Sequence, residues 1–263
     1  MEPHNGLMDA TVAVLPLTGC LVGFLVGATG MGGGALMTPF LILAIGTRPV
    51  VAVGTDLVYG ATTKIVGAYL HWRQGTVDLQ LVKRLALASV PGGLAAVATV
   101  RLLAHTPAVA DAFVRRALGG VLVVVAVLML ARLAGALPAA LPERWRRALE
   151  GGGTLAAGAL VGALVGFTSV GSGALLVPFL ICVFPQNSAR IVGTDVFHAA
   201  ILLTATAAGH AEGGAVDWSL AAALLMGSIP GVALGSWMSP RIPATALRAG
   251  LASVLLLTGL TLV

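Results

Sequence analysis

Residues 29–40 read TGMGGGALMTPF, and residues 168–179 read TSVGSGALLVPF. The second stretch begins 139 residues after the first, and the same offset carries the match outward without a gap. Gly54-Thr55-Asp56 falls on Gly193-Thr194-Asp195, His71 on His210, Val77-Asp78 on Val216-Asp217, and Pro91-Gly92 on Pro230-Gly231. Over positions 22–93 roughly four residues in ten are identical, so the chain is two copies of one unit.

Composition places that unit in a membrane. Of 263 residues, 58% are hydrophobic and 10% charged, and the mean hydropathy is +1.00. A soluble domain carries about 25% charged residues. A soluble chain of this length has too little interior to hide so much apolar surface. The apolar runs are far longer than barrel strands and do not alternate, which argues against a β-barrel. The expectation is an all-α polytopic protein of the cell inner membrane or plasma membrane, in contact with lipid. Its 35 glycines suit close helix approach. The net charge of +5 does not point to nucleic acid, because the basic residues sit in short loops between apolar runs, where they set orientation. Cys20 and Cys182 lie within apolar runs and indicate neither a disulfide framework nor a zinc site. No metal and no cofactor is expected. The first apolar run has no basic segment before it and reads as a retained span.

The runs predict ten membrane elements, two of them short. In the first copy they cover 10–28, a short helix at 35–45, then 50–70, 81–103 and 115–133; in the second, 154–167, a short helix at 174–183, then 189–208, 218–238 and 244–262. The units are a tail at 1–9, a first repeat at 10–137, a basic linker at 138–151 with Arg144, Arg146 and Arg147, and a second repeat at 152–263. Consecutive glycines cost about 1 kcal/mol each inside a helix, so the run before each short helix reads as a break. The short helices cannot cross comfortably alone. Matched loops carry opposite charge: Arg73, Lys83 and Arg84 in one, Glu212 and Asp217 in the other. Opposite bias at equivalent loops predicts inverted-topology repeats, with the 71–84 loop and the linker cytoplasmic and both termini outside.

The pattern Gly30-Met31-Gly32-Gly33-Gly34-Ala35-Leu36-Met37-Thr38-Pro39 followed by Gly54-Thr55-Asp56 resembles the TauE/SafE sulfite exporter family, also called the four-toluene sulfonate uptake permease family. The second copy repeats it as Val170-Gly171-Ser172-Gly173-Ala174-Leu175-Leu176-Val177-Pro178 and Gly193-Thr194-Asp195, and His71 to Asp78 is similar to the family's loop. The resemblance spans nearly the whole chain. It implies transport of sulfur-containing anions such as sulfite and organosulfonates.

Chemistry points the same way. A helix N-terminus in low dielectric offers free N–H groups to an anion. Glycine lets the backbone approach an oxyanion closely. The candidate substrate-binding residues are therefore Thr29, Gly30, Gly32, Gly33, Gly34 and Thr38 in one break, and Thr168, Ser169, Gly171, Ser172 and Gly173 in the other. The competing reading is that the glycines serve helix packing alone. Asp56 and Asp195 lie inside apolar runs, where ionisable groups face a cavity or a partner, so they are candidates for coupling to a proton or sodium ion. Their competing role is capping a helical turn. His198 lies three residues past Asp195 and is a candidate proton partner or a satisfied core histidine. Lys64, with Leu203 at its equivalent position, either attracts an anion or snorkels to the interface. His71 and His210 read as interfacial residues at helix ends.

The expected function is a secondary transporter of a small sulfur oxyanion, proton- or sodium-coupled and acting in export. The alternatives are an anion channel and an integral membrane enzyme. No His, Glu or Cys set at metal or nucleophile spacing supports an enzyme. Assembly into a homo-oligomer stays open.

Overall fold

Proline, glycine and a few polar caps set the helix boundaries. Pro49 and Pro107 open their helices, where a missing N–H is harmless. The Asp78 carboxylate accepts the amides of Gln80 and Leu81, and Asp217 accepts that of Leu220. Gly75 and Gly214 adopt the left-handed conformation, each at φ +69°, and close equivalent turns.

The computed structural model describes residues 4–29, 34–136, 141–238 and 244–263, with side chains from residue 16 onward except at 29, 236, 244 and 246. The helices are α1 (His4–Thr29), α2 (Gly34–Leu43), α3 (Pro49–Arg73), α4 (Leu79–Leu103), α5 (Pro107–Leu133), α6 (Glu143–Ala148), α7 (Thr154–Thr168), α8 (Val177–Val183), α9 (Ser188–Glu212), α10 (Trp218–Met238) and α11 (Ala244–Leu262). Wide π turns at Leu149–Gly153 and Ser172–Leu176 lead into α7 and α8. No strand occurs among the described residues. Among the described residues, five helices are long and apolar enough to cross a membrane: Leu79–Leu103, Pro107–Leu133, Glu143–Thr168, Ser188–Glu212 and Trp218–Gly235. Their outer faces expose large apolar side chains such as Leu87, Leu102, Val124 and Ile229, as lipid contact requires. Trp72, Trp145, Trp218 and Trp237 are exposed at or near helix ends, where indoles anchor to the interface.

Of the linker at 138–151, residues 141–151 are described. From Glu143 it is helical, and Arg146 bridges Glu143 and Glu150. The α1–α2 break lies at 30–33, outside the described residues. The second break is seen directly. Ser169 is left-handed at φ 61°, and Gly171 follows at φ 135°, a conformation only glycine adopts easily.

Helices pair across the linker: α1 with α10, α4 with α7, α3 with α9, and α5 with α11. Glycines make the first two seams. A side chain at Gly23 would meet the Ser228 carbonyl at 2.6 Å, and one at Gly92 the Ala159 carbonyl at 2.6 Å. Gly162 lies against the Ser89 carbonyl, and Gly231 against that of Cys20. The α3–α9 pair is central, with Leu57, Leu202 and Leu203 packed against Val165 and Leu176.

Candidate functional site

The two Gly-Thr-Asp motifs sit in α3 and α9 and grip each other's loops. The Thr194 hydroxyl accepts the Asp78 amide at 2.9 Å, and the Thr55 hydroxyl accepts the Asp217 amide at 3.0 Å. A side chain at Gly193 would strike the Thr76 carbonyl at 2.6 Å, and one at Gly54 the Ala215 carbonyl. Every contact in one set is the other set moved by 139 residues. Gly54, near the start of α3, lies beside His210 at the end of α9, and Gly193, near the start of α9, lies beside His71 at the end of α3. The two helices therefore run antiparallel.

The aspartates point elsewhere. Neither Asp56 nor Asp195 caps a helix; each is buried in the second turn or beyond. Asp56 Oδ2 accepts the Thr38 hydroxyl from α2 at 2.5 Å. Position 177, equivalent to Thr38, is a valine. Asp195 instead faces Lys64, with Nζ 3.8 Å from Oδ2. The Lys64 side chain is only 12% exposed, so it does not snorkel outward. Asp56 Oδ1, Asp195 Oδ1 and His198 Nδ1 are buried without a hydrogen-bond partner, an expensive arrangement in a packed interior.

A second reciprocal pair flanks the carboxylates. His198 Nε2 and Ser89 Oγ are 2.7 Å apart, while Tyr59 bonds Ser228 through their hydroxyls. Tyr59 is equivalent to His198, and Ser89 to Ser228. Neither serine nor the tyrosine stood out by residue type alone, although the repeat offset maps each onto its counterpart. His210 is not interfacial: it is buried and bonds the Gly166 carbonyl at 2.9 Å.

The start of α2 and the second break line one cavity. It is lined by Gly34 from α2, by Ser169, Gly171, Ser172 and Gly173 from the second break, and by Gly60, Thr63, Lys64 and Leu203 from the central pair. Its volume is about 20 Å³, room for about one water molecule. Gly34 packs directly on the Ser169 carbonyl. Gly30, Gly32 and Gly33 fall outside the described residues, and Thr29 ends α1 with its side chain undescribed. The Thr168 hydroxyl donates to the Leu164 carbonyl at 2.6 Å and takes the Val170 amide at 3.2 Å, serving the helix end.

Electrostatics at the loops is ordinary capping. At Asp78, burial raises the pKa, but the amide of Leu81, the side chain of Gln186, Arg190 and the amide of Gln80 outweigh it and hold the carboxyl below its usual range. At Asp217, the Ser219 hydroxyl and the Leu220 amide do the same.

Known proteins match over nearly the whole chain. The model of the family described as sulfite exporter TauE/SafE matches residues 15–262. The probable membrane transporter protein YjnA of Bacillus subtilis (strain 168) is 44% identical over 255 residues, covering 94% of this chain and 98% of that protein. A probable membrane transporter protein of Xylella fastidiosa (strain 9a5c) is 28% identical over 231 residues, 87% of this chain and 85% of its own. YdhB of Bacillus subtilis, also a probable membrane transporter protein, is 25% identical over 92% of this chain and 96% of its own. No solved structure matches.

Proposed function

The chain belongs to the TauE/SafE sulfite exporter family of membrane transporters, and on that premise we propose that it is a secondary transporter exporting a small sulfur-containing oxyanion, sulfite or an organosulfonate, with its movement coupled to a proton or sodium ion. The observation that carries this reading is the cavity between the start of α2 and the second break, with a largely buried lysine in its wall. An anion there loses its water and must regain donors. Lys64 supplies charge, Ser169, Ser172 and Thr63 supply hydroxyls, and the amides opening the Ser172–Val183 segment supply N–H groups that a helix start leaves unpaired. The antiparallel repeats support alternating access, in which the same cavity opens to either side in turn. The small volume favours a transporter over a channel, because an oxyanion enters only if the breaks part. Asp56 and Asp195 remain the candidates for coupling, with His198 beside Asp195.

Purified protein in liposomes tests the proposal. Sulfite or an alkanesulfonate should accumulate against its gradient when a proton or sodium gradient is imposed, and Gly173→Val should abolish that flux while the protein still folds. Sulfate, phosphate and taurine serve as comparators. Flux that only dissipates a gradient would indicate a channel, and binding of none of the sulfur anions would remove the substrate assignment.

A further inference from the structure

Lys64 has two neighbours that compete for one charge. Its side chain lines the cavity between the start of α2 and the second break, and its ammonium faces Asp195 at 3.8 Å. That distance is an ion pair but not a hydrogen bond. The pair is buried, and Asp195 Oδ1 has no partner at all. Breaking such a pair leaves an uncompensated buried charge, which is strongly unfavourable. We infer that Asp195 is a stand-in anion: substrate entering the cavity takes Lys64 from Asp195, and the released carboxylate binds a proton. This rests on the transporter reading above and adds the link between anion and proton.

The step balances. Before binding, the site holds an ammonium and a carboxylate. After binding, it holds the ammonium, the substrate anion and a neutral carboxylic acid, the proton coming from the solution on the open side. The buried charge is the same in both states, so neither leaves an unpaired ion in low dielectric. On release the carboxyl returns its proton and recovers Lys64. A monoanion and one proton therefore move together, and their summed gradients set the direction.

Among the described residues, only Lys64 lies within ion-pair distance of Asp195. His71, also on α3, packs beside Gly193 and is bonded to the Thr76 hydroxyl. Lys83 and Arg84 on α4 are exposed, and Arg101 is held by Glu212 and the Gly209 carbonyl. No charged residue occurs in α7 or in Ser172–Val183. Along α9, His198 bonds Ser89 through Nε2 while its Nδ1 has no partner, so it is the one titratable neighbour of Asp195 on its own helix, and Arg190 pairs with Asp78. Asp56 takes no part, since its donor is the Thr38 hydroxyl and Leu203 stands where a second lysine would be. The two halves share a backbone plan, but only one carries the exchange.

Binding of a simple alkanesulfonate to the purified wild-type protein is the test, because that anion keeps its charge at every pH used. Affinity should rise as pH falls, since protonation removes the competitor, and binding should take up about one proton per anion. Asp195→Asn should tighten binding about tenfold and abolish the pH dependence. Lys64→Gln should weaken binding about tenfold or more, and the double variant should resemble Lys64→Gln. Proton uptake is read on the wild type, so the test survives a variant that fails to fold. Binding without proton uptake, or with pH dependence intact in a folded Asp195→Asn protein, overturns the exchange but not the transporter. If neither sulfite nor the sulfonate binds, chloride, nitrate and phosphate replace them. Proton uptake with any of these keeps the exchange and removes the sulfur-anion assignment; uptake with none overturns the exchange.

Discussion

Thr55 and Thr194 show how much one hydroxyl can carry when its place in the fold is right. Each accepts a backbone amide from the loop of the other half, and nothing else described offers that amide a partner. Thr194→Val should therefore cost about 1–3 kcal/mol, the penalty of a buried donor left unsatisfied, and Thr194→Ser should restore most of it. Thermal unfolding in detergent measures both. The neighbouring Asp78 and Asp217 carboxyls have folded pKa values below their unfolded ones. Their contribution is thus fully present above the unfolded pKa of about 4 and is lost as pH falls through the lower folded values. Melting temperature should drop as pH falls below about 4, and Asp78→Asn should flatten part of that drop.

At the scale of elements, glycine decides which helices can meet. Gly119 on α5 lies against the Gly259 carbonyl of α11, where a methyl group would sit at 2.8 Å, while its neighbour Gly120 faces nothing within 4 Å. Gly119→Ala should destabilise the α5–α11 pair by about 1–3 kcal/mol through overpacking. Gly120→Ala should be neutral or stabilise by up to about 1 kcal/mol through helix propensity. The same contrast applies at the breaks. Gly34→Val must push α2 away from the Ser169 carbonyl, so it should lower transport through the cavity more than it lowers the melting temperature.

At the scale of the molecule, the antiparallel α3 and α9 place the 71–84 loop and the 210–217 loop at opposite ends. The first end gathers Arg73, Lys83, Arg84 and the linker arginines. The second holds Arg48 and Arg101, paired with Asp111 and Glu212, and also Arg115 and Arg116 near the start of α5. Basic residues therefore occur at both ends, and the side on which each end lies is for labelling to decide. Single cysteines at Arg73 and Glu212, in a protein lacking Cys20 and Cys182, should be labelled from opposite sides. Labelling of both from one side would rule out inverted repeats.

The apolar helices and the break before Ser172 were legible in the chain because hydropathy, proline and glycine act locally, whereas α5 begins at Pro107 rather than 115 and α6 forms in the expected linker. Duplication was legible because an ungapped offset survives divergence. The offset even paired Tyr59 with His198 and Ser89 with Ser228, though nothing local showed that tyrosine bonds serine and histidine bonds serine across the halves. Gly-Thr-Asp read as one motif, yet its glycine and threonine clamp a loop while its aspartate faces inward. Only tertiary structure could divide those roles, since a helix turns each successive side chain by about 100° and the neighbours come from the other repeat. The same holds for Lys64. In the sequence it stood eight residues from Asp56; in the fold it meets Asp195, because antiparallel packing of α3 on α9 brings the two within reach.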